Sequence, residues 1–195
     1  MCLVSGYRKY RYFALSYVWG DMVTFQTLKS NLSELEEDGS ILRMRNNFPQ
    51  VINDAISVVS VLQERFLWVD ALCIVQDDPV DKQAQIPQMD VIYSQAVATI
   101  VSLSGKDASA GLPGAKQRAR RSQQHPVTIS PWQLLAKLPE LSVALRKSKW
   151  QTRAWTFQEG ILSRRRLFFS DHQVYFQCQP GYYTEDSHGD HSRSD

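Results

Sequence analysis

A chain of 195 residues, 43% hydrophobic and 11% aromatic, has enough apolar material for one core of ordinary domain size. Its 22 Lys and Arg against 20 Asp and Glu leave a net charge of +2, too small for a general polyanion-binding field, so nucleic acid is not an expected partner. Cys2, Cys73 and Cys178 are odd in number and far apart, without a Cys-x-x-Cys pair or histidines at zinc spacing, so no disulfide framework and no metal site are expected.

Tyr7, Arg8, Lys9, Tyr10 and Arg11 interrupt any signal-peptide core, and no apolar run reaches the length of a membrane span. The expected location is the cytoplasm. Arg11 to Trp19 is aromatic and aliphatic and stops at Gly20-Asp21, which predicts a buried strand over Phe13 to Val18. A short acidic helix follows at Ser33 to Glu37, closed by Gly39. A clearer helix opens at Phe48-Pro49, where Val51, Ile52, Ala55, Val58, Val59 and Leu62 recur at three- and four-residue intervals and Pro49 suits the first helical position.

Phe66 to Val75 is apolar apart from Asp70, which predicts a strand covered on both faces and ended by Gln76-Asp77-Asp78-Pro79. A second helix is expected from about Asp81 to Gln95, with Ile86, Met89, Ile92, Tyr93 and Ala96 inward and Pro87 kinking it. Ala98 to Leu103 reads as another buried strand, and Gly105 to Pro131, which holds the basic run Lys116 to Arg121, as a surface loop. Leu134 to Leu145 is weakly helical, and Arg153 to Leu162 is a better short helix. Leu167 to Ser170 and Val174 to Cys178 read as two strands of a tight hairpin. Residues 180–195 are polar, with too little apolar surface to order themselves. The expected fold class is α/β: a mainly parallel sheet with helices on both faces and a C-terminal antiparallel hairpin.

Several side chains could carry chemistry. Glu159 and Trp155 lie four apart on one helix face, an acid beside an indole that could hold a ribose; the alternative is an acid paired with Arg153 or a sheet-edge amide. Asp70, inside an apolar run, requires a partner: Arg153, Arg65, a backbone amide or a ligand. Ser16, Tyr17, Trp19 and Gly20 end the first strand, and Gln76 and Asp77 end the second, at the edge where α/β sheets bind ligands. Gly20 would let backbone approach a phosphate, while Trp19 and Trp68 read as core. Cys73 reads as inert packing ahead of a nucleophile, and His125, His172, His188 and His191 as solvent-facing.

Four stretches, SYVWGD at Ser16 to Asp21, FLWVDALCIVQDD at Phe66 to Asp78, QMDVIYSQA at Gln88 to Ala96 and RAWTFQEGILSRRRLFF at Arg153 to Phe169, together resemble the fungal heterokaryon-incompatibility (HET) domain family. The resemblance covers residues 12 to about 178. It implies a cytoplasmic module of self/non-self recognition that triggers cell death, a domain at 1–179, and a sensor region that is absent here or was cut away. The family is distantly similar to TIR domains, whose flavodoxin-like members include NAD-cleaving enzymes, and Glu159 stands where their helical glutamate does. That similarity implies an NAD glycohydrolase with Glu159 as catalytic acid, NAD as substrate and no resident cofactor. Ser16, Tyr17, Trp19, Gly20, Asp70, Cys73, Gln76, Arg153 and Trp155 would then surround the ligand. Two other readings stay open: a non-enzymatic effector acting through self-association or a sensor-domain partner, and a module that binds a nucleotide without cleaving it. Three positions depart from the family: Gln63 where a glycine usually closes the helix, Pro87 inside a helix, and Gly160 after the glutamate.

Overall fold

In the computed structural model the first apolar run becomes β1 (Tyr12–Ser16), the strand on which both layers of helices are built. The structure describes residues 1–6, 10–20, 24–115, 120, 127–153, 159–179, 181–185 and 191–192. After β1 come α1 (Leu32–Glu36), α2 (Ser40–Arg43), α3 (Gln50–Val61), β2 (Phe66–Trp68), α4 (Asp70–Cys73), α5 (Pro79–Gln85), α6 (Met89–Gln95) and β3 (Thr99–Ser102). A small ribbon of β4 (Val127–Ile129) and β5 (Trp132–Leu134) is followed by α7 (Leu141–Lys147), β6 (Arg166–Phe169), β7 (Val174–Cys178), β8 (Gly181–Thr184) and β9 (His191–Ser192).

The main sheet runs β2-β1-β3-β6-β7-β8-β9. Its first four strands are parallel, and β7 to β9 add antiparallel pairing, beginning with the predicted β6–β7 hairpin. The order 2-1-3 is that of a flavodoxin-like doubly wound sheet, whose chain reverses direction between β1 and β3. Alternation along β1 assigns its two faces. Phe13, Leu15 and Tyr17 pack with Val51, Ile52, Ala55 and Val59 of α3 and with Leu72 of α4. Ala14 packs with Tyr93 and Ala96, and on the same side Val101 and Phe168 meet Leu141 of α7 and Trp150. Helices therefore cover both faces. Among the described residues no helix is long and apolar enough to cross a membrane.

Several expectations are corrected. The strand read over Phe66 to Val75 stops at Trp68; Asp70–Cys73 is a single helical turn. A short apolar run carries no period, so strand and buried turn look alike in it. β2 is also an edge strand whose three residues are only partly buried. The surface loop from Gly105 is instead fed into the core at its start: Ala108, Leu112 and Ala115 are buried, and the Leu112 amide donates to Asp54 Oδ2 at 2.8 Å. Ile86, expected inward, is exposed, because Pro87 turns the chain into a 3-10 segment, Ile86–Gln88, between α5 and α6. Pro49 caps α3 from just outside rather than opening it. The weak helix at Leu134 to Leu145 reduces to α7, with Leu134 closing β5. The sheet continues beyond residue 179 through β8 and β9, so that part of the polar tail is strand and His191 lies in it.

Gln63 answers one family departure. It adopts the left-handed conformation (φ 58°) although it is not glycine, and the Glu64 amide reaches back to the Val59 carbonyl at 3.0 Å. The cap is formed with the wrong residue type for it. Of the basic run Lys116 to Arg121, only Arg120 lies within the described residues; it pairs with Glu185.

Candidate functional site

Ser16 is the last residue of β1 and points to the Ala14 side of the sheet, where the small side chains of β1 leave room for polar groups. Its hydroxyl donates to Glu159 Oε2 and accepts the indole N–H of Trp150 at 2.7 Å. Glu159 lies in a helical turn described over 159–162 and is 8% exposed. Its carbonyl accepts from Ser163 Oγ at 2.8 Å, and Ser163 Oγ shares a hydrogen bond with Thr99 Oγ1 of β3 at 2.6 Å. The turn is thus stitched to β3 while its acid reaches β1. Gly160 has a visible reason here: a Cβ on it would lie 3.0 Å from the Trp150 ring, so glycine lets the indole lie close enough to reach Ser16.

Burial pushes the Glu159 carboxyl up to about 7; the negative charge of Asp70 adds to the rise, while the Ser16 hydroxyl, Arg153 and the Tyr93 hydroxyl oppose it. Asp70, at the start of α4 just past the end of β2, is likewise raised to about 6 by burial, against the Ala71 amide, the Trp19 indole and Arg153. Its partners are Trp19 Nε1 at 2.9 Å and the Ala71 N–H at 2.7 Å. Arg153, the expected partner, acts on it as a nearby positive charge, and its Nη1 donates to the Tyr17 carbonyl at 3.4 Å. Tyr17 is buried, and its hydroxyl has no hydrogen-bond partner among the described residues although the charges of Asp70, Arg153 and Glu159 all act on it. Burial and the two acids hold that phenol protonated.

Ser16, Tyr17, Trp19, Asp70, Arg153 and Glu159 therefore belong to one neighbourhood at the carboxyl ends of β1 and β2. The remaining expected residues do other things. Gly20 (φ 82°) faces Asp107, whose Cβ would lie 2.3 Å from a Cβ there, so its lack of a side chain serves packing against the chain itself rather than approach to a phosphate. Gln76 ties α4 together, its Nε2 donating to the Asp70 carbonyl at 3.1 Å. Cys73 is half-buried, accepts the Val69 amide at 3.4 Å, and is pushed up to about 11 by burial, the wrong direction for a nucleophile. Trp19 is only partly buried and spends its N–H on Asp70, and Trp68 stacks edge-on against Tyr93. Trp155 lies outside the described residues.

Sequence reasoning missed Trp150 as a member and assigned Tyr93 only to the core, whereas its hydroxyl is within reach of both Glu159 and the Leu15 carbonyl, 3.3 Å away. The glycine at 160 was the one local sign that a large ring lies against that turn. A cavity of about 350 Å³ lies behind the turn, lined by Ile161, Ser163, Arg164, Arg166 and Cys178 among others. It opens at the amino-terminal edge of the parallel strands, and among the described residues none of the expected site residues lines it. Its lining residue Ser163 is the one whose hydroxyl, among the described residues, donates to the Glu159 carbonyl.

A flavodoxin-like α/β domain with two raised carboxyls gathered at the carboxyl ends of its strands is the class that fold and site define. The model of the family described as Heterokaryon incompatibility protein (HET) matches residues 12–159, and the chain belongs to that family. It is similar to "Heterokaryon incompatibility protein 6, OR allele" of Neurospora crassa, 33% identical over 97 residues, which are 47% of this chain and 14% of that relative. The chain thus matches a small part of the relative's length. No solved structure matches it.

Proposed function

We propose that this HET domain serves heterokaryon incompatibility as its effector module, triggering cell death, and that the Glu159 cluster carries the effect. The family and the name of the Neurospora relative support the role. The observation that carries the assignment to a site is the convergence of Ser16 with Trp150 and Glu159, which lie 134 and 143 residues further along the chain, on one buried polar cluster. A fold does not need a carboxyl there. An apolar filling would avoid the desolvation that lifts Glu159 to about 7.

That raised carboxyl, with the Tyr17 hydroxyl that has no hydrogen-bond partner among the described residues, also favours an enzymatic reading: cleavage of NAD. The bond between the ribose C1′ and the nicotinamide nitrogen breaks, nicotinamide leaves neutral with the bonding electrons, and water adds at C1′ with loss of a proton. Positive charge develops on the ribose, so the ionised form of Glu159 is the useful one, stabilising that charge in a water-poor site. Turnover should then rise with pH through about 7.

The test is nicotinamide release from NAD, together with viability of cells expressing the domain, for wild type and Glu159→Gln. The proposal expects Glu159→Gln to leave cells alive while melting no lower than wild type. Killing equal to wild type overturns the site. Killing by wild type without nicotinamide release removes the enzymatic reading and leaves the effector acting by contact or assembly.

A further inference from the structure

Three arginines in succession, Arg164, Arg165 and Arg166, join the Glu159 turn to β6, and none of them belongs to the Glu159 cluster. Arg164 and Arg165 are exposed, and among the described residues neither makes an ion pair. Like charges this close repel even in water, and a bound anion would relieve the repulsion. Register sets Arg166, the first residue of β6, beside Gln177 of β7, with Ser163 and Arg164 leading in from the turn. These four residues line the cavity of about 350 Å³ behind the turn.

The lining sorts the ligands. Guanidinium groups donate and never accept, so the cavity favours a molecule rich in acceptor oxygens, and among the described residues no Asp or Glu lines it to repel a negative one. Its volume lies at the low end of the roughly 300 to 1,000 Å³ of small-molecule pockets, which fits a small molecule rather than a helix or a duplex. A single carboxylate presents one edge to one guanidinium. A phosphate monoester has three terminal oxygens and about two negative charges, which two arginines can share. Gln177, with both a donor and an acceptor, suits hydroxyl groups carried beside the phosphate.

Two of the lining residues also hold the turn. Ser163 Oγ donates to the Glu159 carbonyl at 2.8 Å and Arg166 Nη1 to the Gly160 carbonyl, while the Arg166 guanidinium lies 5.9 Å from the centre of the Phe168 ring. The Glu159 carboxyl itself points the other way, to Ser16. We propose that the cavity is a second ligand site, which takes a small phosphorylated molecule on Arg164 and Arg166 and steadies the turn that presents Glu159. This site does not depend on what the Glu159 cluster does.

Calorimetric titration of the full chain with ribose 5-phosphate, ribose and inorganic phosphate tests it. Ribose 5-phosphate should bind at least about tenfold more tightly than either of the others, since ribose lacks the charge and phosphate leaves most of the cavity unfilled. Arg164→Ala should weaken that binding about tenfold with an unchanged ligand-free melting temperature, because the side chain is exposed. Arg43→Ala, which removes the same charge from α2, should leave the binding as it is. Ribose 5-phosphate should also slow hydrogen exchange of the amides of residues 159–163 several-fold. No binding, or ribose binding equally well, overturns the anion site, and phosphate binding equally well overturns the organic ligand. Binding that survives Arg164→Ala overturns its placement in this cavity, and unchanged exchange across residues 159–163 overturns the link to the turn.

Discussion

On one face of β1, Phe13 and Leu15 meet Val51, Ile52, Ala55 and Val59 of α3 in an apolar core; on the other, Ala14 and Ser16 leave a gap that Tyr93, Trp150 and Glu159 fill. The first face is stabilised by burial of apolar area, which is insensitive to pH and tolerant of reshaping. The second holds a carboxyl whose proton is bound more tightly than in water, so its stability depends on conditions and on each hydroxyl in place. One five-residue strand thus divides the domain into a side that holds the fold and a side strained electrostatically.

The largest effect that separates the two sides is expected on the apolar one. Leu15→Ala should lower unfolding free energy by about 3 kcal/mol in urea titration, because Leu15 is fully enclosed and the cavity has little freedom to collapse. A loss below about 1 kcal/mol would mean that this face is looser than its packing indicates.

The pH dependence belongs to the other face. The folded chain holds the Glu159 proton up to about pH 7, the unfolded chain only to its ordinary value of 4.5. Between these values the unfolded state binds fewer protons, so stability falls as pH rises, and the loss is complete above about 7. Asp70 adds a loss of the same sign between 3.8 and about 6. Glu159→Gln should flatten the upper part of this decline and, above pH 7, be more stable than wild type by on the order of 2 kcal/mol. Parallel melting curves for the two proteins from about pH 5 to 8 would show that Glu159 is not held protonated.

Ser16→Ala sharpens the same contrast. It deletes one hydroxyl that serves both Trp150 and Glu159, at a cost of about 1.5 kcal/mol by chemical unfolding, and it removes a hydrogen bond that holds the Glu159 pKa down. Any rate that depends on ionised Glu159 should therefore shift to higher pH. A shift to lower pH, or none, would place the hydroxyl's influence elsewhere. The smallest expected effect is a gain: Gln63→Gly relieves a left-handed side-chain residue at the end of α3 and should add about 0.5 to 1 kcal/mol, read as a higher melting temperature. It should leave every pH profile unmoved, since it acts only on the apolar side.

The sequence by itself determined β1, α3, β3 and the β6–β7 hairpin, because each carries its own signal: continuous apolar residues bounded by turns, a three-four repeat, or two strands across a tight turn. It also singled out Ser16, Asp70 and Glu159, an acid or hydroxyl in apolar company being legible in one dimension. Only the tertiary structure decided what each of them touches. Asp70 met Trp19 rather than Arg153, and Ser16 met Trp150 and Glu159, because those neighbours are set by how β1, β2 and the 159–162 turn stack. The helical turn at α4, the burial of Leu112 and the second use of Tyr93 were hidden for the same reason. A short apolar run fits strand, turn or plug equally well in sequence, and which of these it becomes is chosen by the space that distant segments leave for it.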